Sequence, residues 1–230
     1  MNKQSNTYTF IYASVMVILV ASILAFTALS LKPTQKRNIE IDKKMQILSS
    51  AKISSTTKDA EEKYAQYITN SYIVNHKGEV ISGDAFSVEL EKELIKPVEK
   101  QQLPVFEFKV DNGDVKYILP MRGKGLWGPV WGYISLNADK NTIYGVYFSH
   151  KSETPGLGAE IATENFQKQF DGKEIFKRNE FVSIAVLKVG TKSQGQDAVD
   201  GISGGTITSK SVEAMLKNCL QSYVNFLNKK

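Results

Sequence analysis

Asp200 to Leu216 reads DGISGGTITSKSVEAML. Gly201, Gly204 and Gly205 lead into Thr206, Thr208 and Ser209, and an apolar-periodic segment follows. Glycine reaches backbone angles closed to other residues and leaves its amide open to approach. A helix N-terminus adds free N–H donors and partial positive charge, which together suit a phosphate. The plainer reading of the same residues is a glycine turn and a Ser/Thr cap, with the helix starting near Thr208 or Ser209. A Walker A loop is excluded, because the spacing and the closing Gly-Lys-Ser/Thr are missing.

Two further glycine-rich stretches could share in a pocket. HKSETPGLGAE, His150 to Glu160, joins a strand to a helix. Glu153 and Thr154 offer polar atoms there, and Pro155, Gly156 and Gly158 fix a tight loop whose glycines allow close backbone approach to a planar ring. RGKGLWGPVWG, Arg122 to Gly132, carries Lys124 for an anion and Trp127 for a ring. Each also reads as an ordinary surface loop. Groups for acid–base work are scarce. His76 and His150 are far apart in sequence, and Cys219 is alone, so no intrachain disulfide or Cys-based metal site can form. No metal is expected. Three glycine-rich loops and few titratable groups suit a planar, phosphorylated cofactor that brings its own redox chemistry.

The elements that position these loops follow from periodicity. Val212, Met215, Leu216, Cys219, Leu220, Tyr223, Val224 and Leu227 give the last helix an i, i+3, i+4, i+7 stripe. PVFEFKV and VKYILPM flank Asp111-Asn112-Gly113-Asp114 as a hairpin. PVWGYISL and TIYGVYFS form a second, and SYIVNHKGEVIS a third. AEIATENFQKQF is predicted as a helix and FVSIAVLKV as a strand. VELEKELIK is a short helix, and Asp59 to Tyr72 a longer one with Ser54 to Thr57 as caps. Ile39, Ile41, Met45 and Leu48 form a partial helical stripe. The fold class is α+β with a mainly antiparallel sheet.

From Phe10 to Leu31 the chain is uncharged and apolar. About 22 helical residues span roughly 33 Å, enough for a bilayer core. The run is longer than a signal peptide's apolar region, so it reads as an uncleaved anchor. Tyr8, Tyr12 and Lys32 suit the interfaces. The predicted organisation is a tail at 1–9, a transmembrane helix at 10–31, a helical or mixed connecting region at 32–102, and a domain at 103–230. Lys32, Lys36, Arg37, Lys43 and Lys44 outnumber Lys3, which by the positive-inside rule places the domain in the cytoplasm. The net charge of +5 has no Arg-rich block, so nucleic acid is not a predicted partner.

DGISGGT resembles the flavinylation motif of FMN-binding domains, D-x-x-S/T-G-A-T, with Gly205 where Ala is usual. The resemblance implies covalent FMN on the Thr206 hydroxyl as a phosphodiester, moved from FAD by a dedicated flavin transferase. It implies that Asp200, Gly201, Ser203, Gly204 and Gly205 serve recognition and backbone shape. HKSETPGLG resembles the ETPGLG loop of these domains. That implies a flavin pocket of Glu153, Thr154, Gly156, Leu157 and Gly158, with ordering of the loop as the alternative role for Glu153; Lys124 and Trp127 join the expected pocket on their residue types. GKGLWGPVWGYISL is similar to a segment typical of the C subunit of the sodium-translocating NADH:quinone reductase. The implied partners are the other subunits, through which NADH, FAD, iron–sulfur centres and quinone act. The implied location is the bacterial inner (cytoplasmic) membrane with the FMN domain periplasmic, against the charge count. The G subunit of an Rnf-type ferredoxin-oxidising complex and a membrane-anchored ligand-binding protein without flavin are the alternatives.

Overall fold

The computed structural model describes residues 5–109 and 113–229, so Lys3 and the Asp111–Asn112 half of the predicted turn lie outside the described residues. Two compact units divide between Lys43 and Lys44. Helix α1 (Asn6–Ser50) is one helix that includes Pro33 and runs from the predicted span into the predicted connecting region. A single proline removes one amide donor, and no glycine stands beside it to break the helix. In the first unit an 18-residue apolar window has mean hydropathy 2.4, with none of it buried inside the protein. Ser22, Thr27 and Ser30 donate to the carbonyls of Ile18, Ile23 and Phe26 at 2.7, 2.8 and 2.8 Å. Each hydroxyl is thereby satisfied without water, as an apolar surrounding requires.

The second unit is built on a six-stranded antiparallel sheet. Its strands are β1 (Ile68–Val74), β2 (Val80–Ile81), β3 (Leu103–Lys109), β4 (Val115–Lys124), β5 (Pro129–Leu136) and β6 (Ile143–His150). Their spatial order is β2-β1-β3-β4-β5-β6. The three predicted hairpins are all present. Helix α2 (Ala60–Tyr67) stops before Ile68, earlier than predicted, because the β-branched and aromatic run that follows pairs with β3. Residues 54–57 do not cap α2. The Asp59 carboxylate instead takes the amide and hydroxyl of Thr56. Helix α3 (Leu90–Leu94) is present but shorter than the predicted VELEKELIK segment.

Strand alternation sends side chains to two cores. Phe106, Phe108, Ile118 and Tyr133 meet Ile47 and Ala51 on one face. Of the stripe predicted near the end of α1, Leu48 is buried, but Ile39 is 69% exposed. The Ser135 hydroxyl donates to Ser50 O at 2.5 Å. A methyl group added at Gly145 would lie 2.7 Å from that same carbonyl, so glycine is what lets the chain pass so close. On the other face Val105, Leu119, Met121 and Ile134 meet helix α5 (Thr206–Leu227). Its buried stripe matches the predicted one, except that Val224 is half-buried and Phe226 takes a core place. Gly123 gives α5 clearance, because a Cβ there would lie 2.8 Å from the Met215 Cβ.

Two predicted elements are broken. Residues 159–170 form two 3-10 turns around a four-residue helix α4 (Glu164–Gln167), separated by an extended Thr163. The Thr163 hydroxyl donates to Glu160 O and competes with helix continuation. Strand β7 (Phe176–Lys177) pairs with β8 (Glu180–Phe181), and β9 (Ala185–Leu187) pairs in parallel with β10 (Ala198–Asp200). The predicted strand FVSIAVLKV is thus split between β8 and β9, because Ser183 between them has φ 62°.

Candidate functional site

Helix α5 begins at Thr206, two or three residues before the expected start at Thr208 or Ser209. Gly204 turns the chain with φ 75°, and Gly205 N–H donates to Ile202 O at 3.0 Å. No side chain caps the helix. The first bond into it runs from Ser209 N to Gly205 O at 2.9 Å. The amides of Thr206, Ile207 and Thr208 therefore lack an acceptor among the described residues. Thr206 is exposed beside them.

Thr208 and Ser209 are not caps. Both are buried, at 2% and 3% exposure. The Thr208 hydroxyl donates to Glu153 Oε2 at 2.6 Å. The Ser209 hydroxyl accepts from Ile202 N at 2.9 Å and holds the glycine turn against α5.

Glu153 joins the three loops that the sequence singled out. It is 4% exposed. One carboxylate oxygen takes Thr208, and the other accepts from Trp127 N at 2.8 Å. Its own amide donates to His150 Nδ1 at 3.1 Å, so His150 orients the loop as well as ending β6. The Ser152 hydroxyl donates to Trp127 O at 2.7 Å. A buried carboxylate is tolerated when charge-assisted hydrogen bonds fill its lone pairs. Space for it comes from glycine. A Cβ at Gly125 would lie 2.5 Å from Glu153 Oε1, and one at Gly158 would lie 2.4 Å from the Thr208 hydroxyl.

The junction walls a cavity of about 270 Å³ lined by Leu126, Trp127, Glu153, Thr154, Leu157 and Gly158 and by residues 204–208. Around it Trp127, Ile207, Leu126 and Leu157 are 66%, 58%, 47% and 41% exposed. Four large apolar side chains left to solvent around one opening mark a surface built to be covered. A second cavity of about 410 Å³ is lined by residues 186–189, Gly201, Ile202, Ser203, Gly204, Thr206, Ser209 and Lys210. Thr206 and Gly204 border both cavities.

Not every residue singled out by sequence lines these cavities. Lys124 ends β4 and is exposed, lining neither. Gly156 turns the loop with φ 75° and also lines neither. Its amide donates to Glu160 Oε1 at 3.0 Å. Asp200 ends β10, with its amide donating to Gln169 Oε1 at 2.8 Å. Sequence reasoning missed Leu126, Ile207, residues 186–189 and Lys210. Ile207 carried a readable signal, since it falls outside the apolar stripe of α5 and must face outward.

Residues 125–221 match the family model of the FMN-binding domain. The C subunit of the Na(+)-translocating NADH-quinone reductase of Vibrio vulnificus is 33% identical over 212 residues, covering 85% of this chain and 83% of that protein. The Haemophilus ducreyi protein of the same description is 32% identical, over 94% of this chain and 90% of its own length. The crystal structure of the corresponding Na(+)-translocating NADH-quinone reductase C subunit from Parabacteroides distasonis superposes with a TM-score of 0.83 at 50% identity, covering 87% of this chain and 98% of that one. The Shewanella oneidensis NqrC structure shares the fold, with a TM-score of 0.71 at 24% identity over 85% and 98% of the two chains.

Proposed function

This chain belongs to the family of Na⁺-translocating NADH-quinone reductase C subunits, with their FMN-binding domain, and on that premise we propose that it carries FMN covalently on Thr206. Membership makes it an electron-transfer subunit of that oxidoreductase, acting with the complex's other subunits. Its N-terminal apolar helix fits a membrane anchor.

The observation that carries the attachment is the setting of the Thr206 hydroxyl. It is exposed, stands at the first residue of α5 beside three unengaged amides, and borders both cavities. The residues present fit FMN. The amides and the helix N-terminus favour a phosphate. The exposed faces of Trp127, Leu126, Leu157 and Ile207 suit one side of an aromatic ring. When bound, FMN supplies reversible electron uptake and release. The chain's own residues hold and shield it. Glu153 fixes the Trp127 backbone to α5, and the Ser209 hydroxyl fixes the glycine turn. With these contacts made, the attachment point and the ring-facing side chains keep one arrangement.

In this reading a flavin transferase moves FMN from FAD to the Thr206 oxygen. A threonine–phosphorus bond forms, the bond to the AMP portion breaks, and the threonine proton is lost. When bound, the flavin would relay electrons that partner subunits bring from NADH through FAD and iron–sulfur centres, onward to a further flavin subunit and quinone. The FMN domain faces the periplasm, where a lost FMN could not be readily replaced, which gives the covalent bond its purpose. Sodium movement belongs to the assembled complex, since one uncharged span offers no ion path.

The test is a denaturing gel under ultraviolet light after co-expression with a flavin transferase. The unaltered chain gives a fluorescent band, and Thr206→Val gives a dark one. A fluorescent Thr206→Val band contradicts the site.

A further inference from the structure

We propose that Lys210 is the countercharge of the phosphodiester at Thr206, a positioning residue steadied by Glu213; this rests on the attachment proposed above. Lys210 lies four residues after Thr206 on α5, and residues so spaced share a helix face. The Lys210 ammonium rests on Glu213, and because helical side chains lean towards the N-terminus its stem can also extend it towards Thr206. The two residues line the same 410 Å³ cavity.

Glu213 explains why this lysine is available there. Its two carboxylate oxygens take Lys210 Nζ at 3.1 and 3.0 Å. Oε2 also accepts from the backbone amide of Val186 in β9, which fixes the carboxylate to the cavity wall. Lys210 is the more exposed partner, at 53% against 29%, whereas Glu213 is also tied to β9. The charged residues of the lining are Lys188 and Lys210, with no carboxylate among them. Lys188 lies past the end of β9 on irregular backbone, so it is the less constrained of the two. A phosphodiester carries one negative charge at neutral pH. Without FMN, Lys210 is neutralised by Glu213. With FMN attached, the ammonium stands between two anions and balances the added charge. A plain surface ion pair of this spacing contributes little and does not depend on what Thr206 carries.

That dependence is the test. The full chain in detergent is made with and without flavin transferase, as the unaltered protein, Lys210→Gln and Lys210→Arg. Thermal unfolding is followed at low salt and in about 0.5 M salt, where exposed charges are screened. Lys210→Gln is expected to lower the melting temperature of the FMN-loaded chain by ~2 °C more than that of the unloaded chain. The excess closes in high salt, and Lys210→Arg restores most of it. The ³¹P resonance of the phosphodiester shifts in Lys210→Gln and returns towards its original position in Lys210→Arg. Equal losses in loaded and unloaded chains, with an unmoved ³¹P resonance, overturn the role of Lys210 and leave the attachment standing. A dark band for the unaltered chain overturns the attachment, and this inference with it.

Discussion

Glu153 is the residue on which the site's shape depends most. Its buried carboxylate receives the Thr208 hydroxyl from α5 and the Trp127 amide from the β4–β5 connection. Glu153→Gln keeps the size but presents an NH₂ group to one donor, costing a charge-assisted bond of about 2 kcal/mol. The expected result is a melting temperature lower by ~4–8 °C, read by circular dichroism. A change of under a degree would show that the junction does not hold the loops. Cys219 makes a separate prediction. Burial pushes its thiol up to about 11, above the usual value of 9.0. The folded chain therefore keeps this proton where the unfolded chain loses it. The associated stability is full below pH 9 and is lost as pH rises towards 11. A thiol reagent at about pH 8, just below the ordinary thiol range, should leave the native chain unlabelled and label it in denaturant. Rapid labelling of the native chain would contradict the burial. At this scale the sequence was legible for residue types but not for their partners. Thr208 and Ser209 look like caps, and only folding reveals that Glu153, far away in sequence, claims one of them.

Loops and helix ends do more than spacing suggests. The site needs two glycines for different reasons. Gly156 has φ 75° with open space around it, so Gly156→Ala costs backbone strain alone, about 1–2 kcal/mol. Gly158 faces Thr208 and Glu153, so Gly158→Ala drives a methyl group into their hydrogen bond. Gly158→Ala is expected to melt lower than Gly156→Ala and to lose in-gel flavin fluorescence as Trp127 and α5 separate. The reverse order would place the strain in the turn rather than at the junction. The hairpins and α5 were readable because their periods are long and clean. Residues 159–170 were not, because Thr163 and its local hydroxyl bond break a pattern that is helical in composition. FVSIAVLKV reads as one strand because periodicity is blind to the positive φ of Ser183, where the pairing partner changes.

For the whole molecule, two signals in the sequence disagree. The apolar helix declares a membrane, yet the lysines after it argue for a cytoplasmic domain while the family resemblance implies the opposite side. Large domains cross membranes despite flanking charge, which is why counting lysines does not decide the matter. In the proposed reading, an alkaline phosphatase fused after the C-terminus is active in intact cells. An inactive fusion at normal abundance would put the domain in the cytoplasm. The central claim concerns one atom, and it is tested most directly by mass. Trypsin cuts after Lys192 and Lys210, releasing a peptide that holds Ser193, Ser203, Thr206, Thr208 and Ser209. From chain co-expressed with flavin transferase, this peptide should be heavier by one FMN less one water. Its fragments should place the added mass on Thr206. An unmodified peptide, or the mass on any other hydroxyl, would contradict the account.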